Sequence, residues 1–190
     1  MIRMNQWLRA LSLALIFACC WNPAVAAERP QEWAKPMAVQ GVPNLHQITP
    51  RIYRSAQPTS LGMRKLDAMG VRTVVSFRNY HDDRELLKGT HIRSVRIPIN
   101  TWDIRDEHVV AALRELKRQD EGLVLIHCQH GADRTGLMSA MYRIVVEGWD
   151  KPRAVEELTK GGYGYHAMWK NILDYIERVD VEKIRREVSV

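Results

Sequence analysis

Apolar and polar positions along this chain follow two periods, and the switches between them mark its elements. Leu123-Val124-Leu125-Ile126 is an unbroken apolar run of strand length, read as a buried strand that ends at His127. Val71 to Phe77 is β-branched and apolar, the pattern of a strand covered on both faces of a parallel sheet. Arg51 to Arg54 is a shorter strand candidate. Ile92 to Ile99 places Ile92, Ser94 and Arg96 on one face and Arg93, Val95 and Ile97 on the other, as a more exposed strand would. Between these runs the spacing turns helical. Leu61, Leu66 and Met69 follow a capping Ser60 and stop at Gly70, and Glu107 to Gln119 carries an inward stripe of Val109, Leu113 and Leu116. Leu137 to Glu147 stops at Gly148, and Pro152 to Lys160 stops at Gly161-Gly162. Trp169, Ile172, Leu173, Ile176 and Val179 predict one last amphipathic helix. Strands alternating with helices predict an α/β fold, a central and mostly parallel sheet flanked by helices.

The first residues follow a different rule. Arg3 and Arg9 give a positive start without an acid, Ala10 to Trp21 is apolar, and Ala24-Val25-Ala26 fits a small-residue cleavage site. Residues 1–26 therefore read as a secretory signal peptide, too short and wrongly flanked for a stable membrane span. The expected location is the periplasm or another exported compartment. A retained membrane anchor is the alternative, and a lipoprotein signal at Cys19 is a weaker one, because Phe17 stands where a small or branched residue is expected. Residues 27–44 are rich in Pro and polar side chains and read as a loose lead-in. The domain is placed at 45–190.

Charge and cysteine count narrow the function. Of 190 residues, 28 are Lys or Arg and 22 are Asp or Glu, a formal net charge of +6. Removing the signal takes away two Arg and leaves +4 on 164 residues, enough for one domain with a real core. That charge suits an anionic substrate. It does not argue for nucleic acid, since no basic run is interleaved with aromatics. Of three cysteines, Cys19 and Cys20 leave with the signal. Cys128 then has no disulfide partner, and a lone thiol outside the cytoplasm implies a chemical role.

Cys128 opens the segment His127-Cys128-Gln129-His130-Gly131-Ala132-Asp133-Arg134-Thr135-Gly136, at the junction of the central strand with the following helix. The first backbone N–H groups of a helix lack internal partners, and the helix dipole adds positive charge, so the junction suits phosphate. A cysteine there is expected as a thiolate nucleophile. Arg134 supplies a planar fork for two phosphate oxygens. Gln129, His130, Gly131, Ala132 and Asp133 would wrap the anion, with Arg134 closing the ring. His127, Cys128 and His130 also resemble part of a metal cluster, but structural zinc takes four ligands and no second Cys/His cluster is present. No metal and no cofactor are expected.

The segment is similar to the His-Cys-x2-Gly-x2-Arg-Thr-Gly loop of Cys-based protein tyrosine and dual-specificity phosphatases. Tyr53-Arg54-Ser55-Ala56-Gln57-Pro58, Val74-Val75-Ser76-Phe77, Met141-Tyr142-Arg143-Ile144-Val145-Val146 and Gly161-Gly162-Tyr163-Gly164 extend the likeness over roughly residues 45–165. Together they resemble exported bacterial dual-specificity phosphatases of the TpbA type. The resemblance implies a dual-specificity phosphatase-like fold and hydrolysis of phosphotyrosine, with phosphoserine and phosphothreonine as further substrates, through a cysteinyl-phosphate. The implied partner is a phosphorylated protein of the cell envelope. In that chemistry Thr135 donates its hydroxyl to the sulfur and His127 fixes the loop.

The resemblance puts the general acid on the loop before the Cys128 strand, at Asp103 or Asp106. Asp106 also reads as a helix N-cap, which leaves Asp103 first. Asp133 is a third candidate. Trp102, Tyr163, Tyr165 and His166 are candidates for the mouth of the pocket or for ordinary packing. His81-Asp82-Asp83-Arg84 reads as a solvated loop face rather than a metal patch. Two other functions compete: a phosphoinositide or inositol phosphate phosphatase, which the loop's lack of Lys or Arg between Cys128 and Arg134 disfavours, and a non-catalytic phosphate-binding module, which the intact Cys128 and Arg134 disfavour.

Overall fold

The computed structural model describes residues 29–118 and 122–189. The expected signal peptide and cleavage site, and Gln119, lie outside these residues. Six strands form one mixed sheet: β1 (Lys35–Pro36), β2 (His46–Gln47), β3 (Ile52–Ser55), β4 (Val71–Ser76), β5 (Arg93–Arg96) and β6 (Leu123–His127), in spatial order β1-β2-β3-β6-β4-β5. The first two pairings are antiparallel. Those of β3 with β6, β6 with β4 and β4 with β5 are parallel. The apolar run at Leu123 is therefore the central strand, hydrogen-bonded on both sides. Arg93–Arg96 is the outer strand, and its partly buried and exposed residues alternate.

Among the described residues six helices cover the sheet unevenly. Helix α1 (Ser60–Ala68) packs Met63 and Leu66 on the face that holds Val71, Val74 and Leu125. The other face holds Val75, Val124 and Ile126 and packs on α2 (Asp106–Lys117), α3 (Asp133–Val145), α4 (Lys151–Lys160), α5 (Lys170–Arg178) and α6 (Val181–Ser189). The crossover β3–α1–β4 thus runs on one face and β5–α2–β6 on the other. Strand β6 sits between β3 and β4, so its carboxyl end opens at a topological switch point, where ligands bind in such sheets.

Four details depart from the sequence pattern. Helix α1 is capped by Thr59, whose hydroxyl accepts from Gly62 N at 3.1 Å, so Ser60 is its first residue and not its cap. Helix α3 begins at Asp133, not Leu137, because the second half of the phosphate-loop segment is already its first turn. The final helical stretch is two helices. The chain is extended at Val179, and Asp180 restarts it by accepting from Lys183 N at 2.9 Å. The expected loose lead-in is packed into the domain: Trp33, Ala34 and Val42 are buried, and Ala34 N donates to Glu157 Oε1 at 2.7 Å. Among the described residues no helix is long and apolar enough to cross a membrane.

Candidate active site

The junction after β6 is built by three buried constraints. Cys128 is buried at the end of the strand, directly after His127. Gly131 has φ +70°, and a Cβ there would lie 2.5 Å from Ala56 N and from the Ser55 carbonyl carbon. Only glycine lets the loop bend and press against β3. Its carbonyl accepts from Arg54 Nη2 at 2.7 Å. Ala132 and Thr135 are buried behind it, while Gln129 and His130 face outward. The His130 carbonyl accepts from Asn44 Nδ2 at 2.9 Å, and the Gln129 carbonyl from Gln57 N at 3.2 Å.

Arg134 lies across the carboxyl ends of the strands. Its Nη1 donates to Phe77 O at 3.1 Å and to Ile99 O at 3.2 Å. Its Nε is buried and has no hydrogen-bond partner among the described residues. A guanidinium anchored at one end with a buried, unmatched donor is ready for an anion, since a buried N–H left unpaired is costly. The first-turn amides of α3 add further donors. Thr135 Oγ1 is also buried and unpartnered, so the expected hydroxyl-to-sulfur bond with Cys128 is not made here.

His127 pairs with a residue that sequence reasoning placed in solvent. Its Nε2 lies 2.7 Å from Asp83 Oδ2, with both side chains fully buried. Asp83 also accepts from Gln57 Nε2 at 2.9 Å, and His81 lies 3.4 Å away. Burial raises the Asp83 pKa, but the His127 hydrogen bond and charge, with Gln57 and His81, outweigh it and hold the carboxyl below its usual value. The reading of residues 81–84 as a solvated face is therefore wrong at Asp83. A polar run gave no signal that one of its acids turns inward.

Arg54 is the second missed support. It is 1% exposed, and its guanidinium stacks 3.7 Å from the Tyr163 ring. Burial lowers its pKa, and Tyr163, Glu157 and Cys128 oppose that shift. Tyr163 donates to Glu157 Oε1 at 2.9 Å, and Arg143 Nε donates to Glu157 Oε2 at 2.9 Å. Burial raises the Tyr163 pKa well above the ordinary phenol value. Tyr163 thus belongs under the loop, not at the pocket mouth.

The cleft over Arg134 is lined by Arg78, Tyr80, Trp102, His130, Asp133 and His166, among others. Arg78 is a second cation, carried from the end of β4 and held by Gln57 Oε1 at 2.9 Å. The three acid candidates separate here. Asp106 is the first residue of α2, not its N-cap, and accepts from Tyr175 Oη at 2.9 Å and Lys183 Nζ at 2.7 Å. The Lys183 bond lowers its pKa despite partial burial. It ties α2 to α5 and α6, away from the cleft. Asp133 lines the cleft, but both its oxygens are engaged by His166, from N at 3.0 Å to Oδ1 and from Nδ1 at 2.9 Å to Oδ2. Asp103 follows Trp102 on the neighbouring turn, half-exposed and 3.6 Å from Arg105 Nε.

Comparison with known proteins agrees with this geometry. A family model described as "Swiss Army Knife protein, DSP-PTPase phosphatase domain" matches residues 50–171. The dual specificity protein phosphatase TpbA of Pseudomonas aeruginosa is 40% identical over 185 residues, which cover 94% of this chain and 84% of that protein. A crystal structure of P. aeruginosa TpbA superposes with a TM-score of 0.77 at 38% identity, over 86% of this chain and 100% of that one. A Cys-to-Ser variant of TpbA in complex with pTyr gives 0.76 at 39% identity, over 85% and 99%.

Proposed function

The chain belongs to the DSP-PTPase phosphatase domain family and is a dual-specificity-type protein tyrosine phosphatase, and we propose that it hydrolyses phosphotyrosine on exported proteins through a cysteinyl-phosphate. The observation that carries the mechanism is the pre-set Arg134, anchored on Phe77 O and Ile99 O with Nε buried and unmatched, in the same loop as the buried Cys128. The Cys128 sulfur attacks phosphorus. The bond from phosphorus to the tyrosyl oxygen breaks, and that oxygen takes a proton from a carboxylic acid. A water molecule, giving its proton to the same carboxylate, then attacks phosphorus and releases phosphate, and sulfur leaves as thiolate. Arg134 and the α3 amides hold the equatorial oxygens throughout.

Asp103 is the acid in this proposal. Asp106 is bound to Tyr175 and Lys183, and Asp133 to His166. Among the described residues Asp103 has one ion-pair contact, Arg105 Nε at 3.6 Å, and a half-exposed place on the turn that presents Trp102 to the cleft. The phosphotyrosine complex of the TpbA variant supports the substrate class. Export rests on the signal pattern, and N-terminal sequencing of envelope material should begin at Ala27. A retained Met1 would favour the anchor.

Arg78 on the cleft wall favours a second reading, an inositol phosphate with more than one phosphate. Phosphate release from matched phosphopeptides, inositol phosphates and phosphoinositide micelles separates the two. The expected outcome is a higher kcat/KM on phosphotyrosine peptides. A tenfold preference for an inositol phosphate, about 1.4 kcal/mol, would reverse the assignment.

A further inference from the structure

We propose that His130, Asp133 and His166 form a metal site on the wall of the cleft, taking a zinc-class divalent cation that shuts out substrate. The fold brings His166 to the phosphate loop across 33 positions of sequence. One ligand atom from each of the three side chains lies within 4.8 Å of the others. His166 Nδ1 is 2.9 Å from Asp133 Oδ2, and the His130 and His166 ring centroids are 5.4 Å apart. Ligand atoms of tetrahedral zinc stand about 3.3 Å apart, given bonds of about 2.0 Å. Both histidines are exposed, so side-chain rotation alone can close that gap. Asp133 is buried and fixed as the first residue of α3. The His166 backbone N–H holds Oδ1 at 3.0 Å, the orienting contact that ligating carboxylates use, and Oδ2 faces His166 Nδ1 at 2.9 Å, where a cation would take the place of the shared proton.

Two imidazoles with one carboxylate select zinc, copper or nickel over magnesium or calcium. Three protein ligands leave a fourth position open to water or an anion. All three residues line the cleft, so a bound cation takes space the substrate needs. Arg134 and the positive end of α3 oppose a dication here. The site is therefore weaker than a structural zinc site and reversible, as a brake requires. The effect on turnover rests on the phosphatase reading above, whereas the binding itself does not.

The test removes the thiolate first. Cys128→Ser protein, stripped with a chelator and desalted, is titrated with zinc chloride by calorimetry. One zinc per chain is expected, with magnesium chloride giving no heat. Adding His130→Gln or His166→Gln should each weaken zinc binding at least tenfold, with unchanged circular dichroism showing that the fold persists. Cobalt titration of Cys128→Ser should give tetrahedral absorption bands without a sulfur charge-transfer band. No zinc bound by Cys128→Ser, or binding that survives both histidine substitutions, overturns the site. Chelator-treated wild-type protein assayed on an aryl phosphate tests the phosphatase reading separately.

Discussion

The floor of the cleft is fastened by buried charge, while its rim is made of apolar side chains left in solvent. Under the loop, Arg54 stacks on Tyr163 and holds Gly131, and Asp83 holds His127. At the rim, Tyr80 is 90% exposed, Met168 74% and Trp102 67%. These are the most exposed large apolar residues among those described, and all three line the cleft. A floor that must hold a reacting phosphate gains from preorganisation, because fixed donors need not reorganise as charge moves. A rim that meets varied peptides gains from adaptable apolar surface, which stays exposed until a partner covers it. Chemistry and selectivity are thus assigned to different parts of one site.

The sharpest break is at the floor. Cys128→Ser should abolish turnover of an aryl phosphate while leaving the fold intact, since a serine hydroxyl with no adjacent base is a far weaker nucleophile than a cysteine. Arg134→Lys should lower kcat about 10²–10³-fold, because a point charge cannot reproduce the fork or both carbonyl anchors. Steady-state rates with circular dichroism check both. Wild-type rates in either variant would remove the loop from the mechanism.

The proposed general acid, Asp103, follows Trp102 of the rim. Asp103→Asn should slow phosphotyrosine peptides about 10²-fold and slow esters of activated phenols far less, since a good leaving group needs no proton. Asp133→Asn should affect both ester classes alike, through the lost contacts to His166. A leaving-group series on both variants decides it, and the reverse pattern would transfer the role to Asp133.

How much of this was legible in the sequence follows the same division. The phosphate loop could be read because its residues are contiguous and each type has a chemical reason to be there: thiolate, fork and bend. Strands β4 and β6 could be read because burial on both faces favours apolar, β-branched runs. The supports could not, because they are single polar residues brought in from afar. Asp83 lies in a run of charged residues and meets His127 across 44 positions. Arg54 carried a weak signal, a charge beside Ile52 and Tyr53 in a short strand, but its partner Tyr163 lies on the far side of the sequence. The break between α5 and α6 was hidden for another reason. Ile184 and Val188, one turn apart, are the only residues α6 buries, too few to declare a period.

Asp83 tests the floor through stability. Asp83→Ala leaves His127 Nε2 buried without its partner and should cost about 2 kcal/mol. The pH dependence has a fixed sign. The folded pKa of Asp83 lies below its unfolded value, about 3.9, so the stabilisation is complete above that value. It is lost as pH falls through the folded pKa. Acid unfolding of the wild type should therefore be steeper below about pH 4 than that of Asp83→Ala, with the difference between them shrinking as acid is added. Denaturant midpoints measured down the pH range check this. A constant difference at all pH values would mean that Asp83 acts by packing alone.

The rim should give the smallest effect and the most selective one. Trp102 offers a large, rigid face to whatever flanks the phosphate, and an aromatic contact there is worth about 1 kcal/mol. Trp102→Ala should therefore lower kcat/KM on phosphotyrosine peptides roughly fivefold. The loss should appear in KM, because the contact is the same in ground and transition states. A small aryl phosphate, which reaches the floor without touching Trp102, should be hydrolysed at the wild-type rate. Equal losses on peptide and small ester would instead mean that Trp102 positions the turn carrying Asp103. The rim would then be part of the chemistry, and the division between floor and rim would fail at that residue.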